Sequence, residues 1–164
     1  MPGGLCVYPG SFDPVTCGHM DLIERAVKIF PQVIVAVLKN LTKPNFFTVE
    51  ERVQMLVKAC SHLPMVIIDS FEGLLVDYMK SVGARIVLRG LRSVTDFENE
   101  FLMAQVNHQI SSDMETLFLM TSHKHTYISS SIVREVGGFG GNISALIPDC
   151  LFSEVTQALK NDHQ

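Results

Sequence analysis

The sequence predicts an α/β fold: a single Rossmann-like, doubly wound domain over residues 1–164, with a five-stranded parallel sheet and a helical C-terminal region. Three observations predict it. Five short apolar runs alternate with segments of helical periodicity, the order that builds right-handed βαβ crossovers. The runs are continuously hydrophobic, as expected of strands covered on both faces. No internal repeat, low-complexity tract or long linker divides the 164 residues, of which 47% are hydrophobic and 18% charged. A chain of this size buries roughly 70% of its unfolded surface, enough for one substantial core.

The elements follow in order. Leu5–Tyr8 is the first strand candidate. A helix over His19–Phe30, opened by Thr16-x-Gly18-His19, places Leu22, Ile23, Ala26, Val27 and Phe30 on one stripe. Val33–Leu38 is the second strand, and Thr48 with Glu51 forms a capping box for a helix to about Cys60. Met65–Ile68 is the third strand; the helix Leu74–Val82 after it ends at Gly83, a C-terminal cap. Arg85–Leu88 is the fourth strand, and Thr95 with Glu98 caps a helix to about Ile110. Thr116–Met120 is the fifth. Beyond Thr126 the chain reads as helical, broken by the glycine-rich run 137–141 and by Pro148.

Composition narrows the function classes. A net charge of −4 argues against an extended nucleic-acid or anionic-membrane surface. No apolar stretch approaches a membrane span and no leader-like segment opens the chain, so a cytoplasmic location is expected. Cys6, Cys17, Cys60 and Cys150 form no C-x-x-C pair and read as reduced thiols. His123 and His125 lack carboxylate partners at fixed spacing and read as loop residues; no protein metal site is expected.

In doubly wound sheets ligands sit beyond the carboxyl ends of the strands. Ser11 to His19, Lys39 to Lys43, Phe71 to Leu75, Arg89 to Arg92 and Ser122 to Ser131 follow the five predicted strands in turn, and they carry a basic and hydroxyl bias. Gly10-Ser-Phe-Asp-Pro-Val-Thr-Cys-Gly-His19 is a small-residue turn running into a helix start, whose free amides and positive dipole end attract a phosphate. Arg89-Gly90-Leu91-Arg92 offers two guanidinium forks around a glycine that permits close approach. An ion pair with Asp96, Glu98 or Glu100 is the competing assignment for those arginines. Ser129-Ser130-Ser131 opens a helix with successive hydroxyls, as an anion site or as an ordinary N-cap.

Taken together, Y-P-G-S-F-D-P-V-T-x-G-H, R-G-L-R with D-F-E-x-E, and I-S-S-S-x-V-R-E resemble the bacterial phosphopantetheine adenylyltransferases, nucleotidyltransferases with a T/H-x-G-H motif. The resemblance runs from Tyr8 to about Pro148. It implies reversible transfer of an adenylyl group from ATP to 4′-phosphopantetheine, giving dephospho-CoA and pyrophosphate. Mg²⁺ would be bound mainly through the ATP phosphates, CoA would act as a feedback ligand, and the assembly would be a homohexamer. By the same resemblance His19 and Lys43 are catalytic. Ser11, Phe12, His19, Gly90, Leu91, Arg92, Glu100 and the segment His125, Thr126, Tyr127, Ile128, Ser129, Ser130 and Ser131 take the ATP side. Ser11, Lys43, Leu75 and Arg89 take the acceptor side. His125 stands where relatives often carry an aromatic residue.

The residue types suit that chemistry. No serine or cysteine is paired with a base, and an acceptor phosphate is already a nucleophile, so catalysis reduces to positioning two anions and stabilising charge at the α-phosphate. Two alternatives remain: a superfamily relative acting on glycerol phosphate or nicotinamide mononucleotide, and a nucleotide-binding regulatory module without catalysis.

Overall fold

The computed structural model describes residues 4–39 and 44–161. Five parallel strands form one sheet in the order β3-β2-β1-β4-β5: β1 Leu5–Gly10, β2 Gln32–Lys39, β3 Val66–Glu72, β4 Ile86–Leu91 and β5 Glu115–Met120. Alternation along the strands splits the core in two. Cys6, Tyr8, Val33 and Val35 face one layer, whereas Val7, Ile34, Ala36 and Val87 face the other. The first layer is closed by the helices α1 Cys17–Ala26, α2 Val49–Ala59, α5 Ser130–Gly138 and α6 Phe152–Asn161. The second is closed by α3 Leu75–Ser81, with α4 Val94–Ile110 lying over β4 and β5. The doubly wound expectation therefore holds.

Chain order reverses between β1 and β4, which makes their carboxyl ends the switch point. These two strands pair only at Cys6↔Ile86 and Val7↔Val87, while β1 stays registered with β2 as far as Gly10↔Val37. Past Val7 and Val87 the neighbours separate, and a crevice opens between Tyr8–Gly10 and Leu88–Leu91.

Several boundaries differ from expectation. Helix α1 starts at Cys17 because Thr16 caps it, and ends at Ala26; a turn then carries Phe30 back to the core. The cap of α4 is Ser93, whose hydroxyl accepts from the Asp96 amide, so Thr95 lies inside the first turn instead of capping it. Asp96 does not close a reciprocal box with Ser93; its carboxylate accepts from the Arg92 amide. Strand β4 continues to Leu91, placing Arg89 and Gly90 on the strand itself rather than in a following loop. A Cβ on Gly90 would lie 2.2 Å from Leu22 Cδ1, so this glycine lets α1 pack directly on the sheet. Helix α5 runs into the glycine run and stops near Phe139, with Gly140 at φ 78° turning the chain. All four cysteines are free thiols.

Candidate active site

The first loop is built by its own backbone. Thr16 N-caps α1, its Oγ1 accepting from the His19 amide at 3.3 Å. The reciprocal bond of this capping box comes from an unusual partner: the Thr16 amide donates to His19 Nδ1 at 3.0 Å. With Nδ1 accepting, the neutral imidazole carries its proton on Nε2, which has no protein partner among the described residues. Phe12 packs edge-on against the ring, centroids 4.9 Å apart. Burial, with Arg92 adding to it, pushes the His19 pKa down to about 4. His19 is thus a neutral Nε2–H donor throughout the physiological range.

That depression has a stability consequence. Between pH 6.5 and pH 4 the unfolded chain takes up a proton at His19 and the folded chain does not. Stability attributable to this group therefore falls as pH drops through that window, by about 2–3 kcal/mol in total. Urea unfolding of wild type and His19→Gln at pH 7 and pH 4.5 checks this, with the extra acid loss expected only in wild type.

His19 lines a cavity of about 290 Å³ in the crevice, with Ser11, Phe12, Gly90 and Arg92 on its walls and Ile128–Ser130 closing one side. A second cavity of about 380 Å³ adjoins it, more apolar, formed by Leu74, Leu75, Phe71 and the α4 residues Met103 and Ala104. The two share Pro9, Gly10, Ser11, Arg89 and Glu100. Arg89 and Glu100 form a bidentate pair at their junction, Nε–Oε2 2.5 Å and Nη2–Oε1 2.6 Å, with Arg89 Nη1 donating to the Pro9 carbonyl. Burial opposes the Arg89 charge, and the Glu100 carboxylate more than offsets it, holding the guanidinium pKa above its ordinary value. Arg92 is paired with Asp96 at 3.0 Å and reaches the Ile128 carbonyl. Both arginines are therefore ion-paired, as the competing assignment expected, and both also line a cavity.

The serine run divides its labour. Ser129 caps α5 by accepting from the Ile132 amide, Ser130 donates to the Pro14 carbonyl at 2.8 Å, and Ser131 is exposed beside Arg134. The hydroxyls thus fix the loop, and the first amides of α5 remain as donors. Leu91 is buried in the sheet rather than on the cavity wall, and Leu75 opens α3 at the second cavity. His125, Thr126 and Tyr127 do not wall the first cavity. His125 faces a separate cleft behind α1, Thr126 Oγ1 donates to the His123 carbonyl, and Tyr127 is exposed. Lys43 lies outside the described residues.

Sequence reasoning passed over three groups here. Asp13, 4% exposed, accepts the Phe46 and Phe47 amides at 2.8 Å each. Arg134 donates to the Asp13 carbonyl and lies 3.5 Å from its carboxylate. Arg52 is buried beneath Ser11. Asp13 lies within the Gly10–His19 motif, but the pattern does not name its partners.

A family model described as cytidylyltransferase-like matches residues 7–136. The phosphopantetheine adenylyltransferase of Finegoldia magna is 50% identical over 92% of this chain and 93% of its own length. The chain belongs to the phosphopantetheine adenylyltransferase family. The corresponding protein of Syntrophotalea carbinolica is 51% identical over 90% of this chain and 89% of its own. Among solved structures, a bifunctional NMN adenylyltransferase/ADP ribose pyrophosphatase from Francisella tularensis superposes with a TM-score of 0.72 at 14% identity. It covers 94% of this chain and 49% of that one, and shows the shared fold. Family membership removes the glycerol-phosphate and nicotinamide-mononucleotide relatives as the nearer match.

Proposed function

We propose that this protein transfers the adenylyl group of ATP to the phosphate of 4′-phosphopantetheine, reversibly, releasing pyrophosphate and forming dephospho-CoA. What supports this most is the pair of adjoining cavities: a polar one beside His19 and the α5 N-terminus, and a more apolar one beside Leu74 and Leu75, meeting at Ser11 and Arg89. The first suits a triphosphate and the second a thiol-ended amide arm.

A phosphate oxygen of the acceptor attacks the ATP α-phosphorus. As that bond forms, the bond from α-phosphorus to the bridging oxygen of the β-phosphate breaks, and pyrophosphate leaves with the electron pair. The nucleophile needs no base. His19 Nε2–H donates to the α-phosphate oxygens, whose charge and geometry change most in the five-coordinate state. The resemblance assigns Lys43 to both reacting phosphates, and Arg92, Gly90 and the α5 amides hold the triphosphate. Ser11 and Arg89 orient the acceptor. The resemblance assigns His125–Tyr127 and Leu91 to the adenosine end, beyond the walls of the first cavity, and Glu100 sets Arg89 between the two sides. Mg²⁺ would arrive with ATP and supply charge screening of the triphosphate. The carboxylates Asp96 and Glu100 on the cavity wall are taken by arginines. CoA, which joins both halves in one molecule, fits the same paired cavities as a feedback ligand. Nucleic acid and membrane are not partners in this proposal, which puts the enzyme in the cytoplasm; no helix among the described residues is long and apolar enough to cross a membrane. The test is pyrophosphate release from ATP with phosphopantetheine, nicotinamide mononucleotide or glycerol phosphate as acceptor. Release with phosphopantetheine alone is expected; equal release with either other acceptor would end the assignment.

A homohexamer belongs to the same proposal. None of the 17 residues of α4 is buried, and Val94, Leu102, Met103, Val106 and Ile110 are at least half exposed. With Met120 on the edge strand β5 they leave exposed apolar side chains around α4 that a further copy of the chain would cover. Light scattering should give six times the 18.2 kDa chain mass, and Leu102→Asp should give a smaller species. A monomeric wild type at micromolar concentration would contradict this.

A further inference from the structure

Arg52 is only 1% exposed, and its guanidinium hydrogen-bonds to backbone carbonyls and to no carboxylate among the described residues. Nε donates to Phe47 and Thr48 at 3.1 and 3.3 Å, and Nη1 to Leu38 and Ser11 at 3.2 and 2.6 Å. Helix α2 does not need it for capping, because Thr48 and Glu51 close that end reciprocally. An apolar side chain of similar length would fill the same space without desolvating a charge. Such a cation is expected to be kept for what it orients.

The shortest of its bonds is to Ser11. In a planar trans peptide the carbonyl and the following N–H point in opposite directions. Capturing the Ser11 carbonyl from the core therefore turns the Phe12 N–H outward. Phe12 has φ 48°, a left-handed conformation uncommon for a bulky residue, and its amide has no acceptor among the described residues although its side chain is buried. Ser11 and Phe12 both line the His19 cavity, and Arg52 does not. Asp13 completes the hold: it accepts the Phe46 and Phe47 amides while Arg52 takes the Phe47 carbonyl, so the loop 10–14 and residues 46–48 are fastened together.

We propose that Arg52 is a positioning residue that aims the Phe12 amide, as a fixed anion donor, at a phosphate oxygen in the His19 cavity. This rests on the adenylyl-transfer assignment for the identity of that phosphate. Lysine at position 52 keeps the charge but replaces the rigid guanidinium, whose Nε and Nη1 hold the Phe47 and Ser11 carbonyls in one plane, with a freely rotating ammonium that does not fix their directions.

The experiment compares wild type, R52K and R52M in two measurements, after circular dichroism and Tm establish folding. The first is steady-state pyrophosphate release. R52K should lose about 10- to 100-fold in kcat, with KM for ATP within about threefold, because a misdirected fixed donor is felt mainly in the transition state. The second is the Phe12 amide signal of ¹⁵N-phenylalanine-labelled protein titrated with inorganic pyrophosphate. It should shift in wild type and not in R52K. A folded R52K or R52M with kcat within threefold of wild type, or with only KM changed, would overturn the proposal. So would a Phe12 signal that ignores pyrophosphate in wild type or responds equally in R52K. Should R52K fail to fold, R52Q is read in the same way. A wild type whose Phe12 amide binds pyrophosphate, but which releases none from ATP and phosphopantetheine, ends the functional assignment and leaves this inference standing. An active wild type with an unimpaired R52K does the reverse.

Discussion

His19→Ala should lower kcat by about 10²–10³ while leaving ATP affinity within a few-fold. In the proposed complex several groups hold the ground-state triphosphate, so one donor lost costs little there. Nε2–H is different, because Thr16 fixes the ring through Nδ1 and the donor is preorganised at the helix start. An interaction made mainly in the five-coordinate state appears in kcat rather than in binding. The structure also gives His19 a second role, as the N3 partner of the α1 capping box, worth about 1 kcal/mol of stability. The two roles separate in His19→Gln. Glutamine at N3 serves a capping box, so Tm should recover while kcat stays low. A folded His19→Ala protein retaining more than about a tenth of wild-type kcat would leave capping as its only role.

Arg89→Ala should cost the acceptor more than the nucleotide. A charge-assisted hydrogen bond to phosphate is worth roughly 1.5–3 kcal/mol. The loss is compounded, because Glu100 is left without its bidentate partner and lines the cavity proposed for the anionic acceptor. About 10²–10³ in kcat/KM for phosphopantetheine is expected, with ATP affinity reduced by less than tenfold. Arg89→Ala/Glu100→Ala should recover part of the acceptor loss, since the repulsive carboxylate is gone. Titration calorimetry showing ATP affinity collapsing while acceptor affinity held would reverse the assignment of the two cavities.

What could be read from the sequence was local. The five strands, the Thr48–Glu51 box and the turn into α1 are set by residues within a few positions of one another, and they appear where expected. Ser93 displaced Thr95 as a cap because both stand three residues before an acid, and only packing chooses between them. Contacts across elements were not legible. Glu100 meets Arg89 because α4 lies over β4, and no spacing rule singles out Glu100 over Glu98. Arg52 reads as a solvated helix residue in Val-Glu-Glu-Arg; its burial follows from α2 lying beneath the Ser11 turn. The serine run illustrates the same limit: its position was evident, yet two of the three hydroxyls are spent on the loop itself.

The central claim is direct transfer between two anions held on either side of Ser11, with no adenylyl group ever resting on the protein. Isotope exchange between labelled pyrophosphate and ATP, measured without acceptor, tests it most directly. No exchange is predicted until phosphopantetheine or dephospho-CoA is added, because pyrophosphate is formed only when an acceptor oxygen displaces it. Exchange at a comparable rate in the absence of any acceptor would require a covalent adenylyl-protein and would contradict the account.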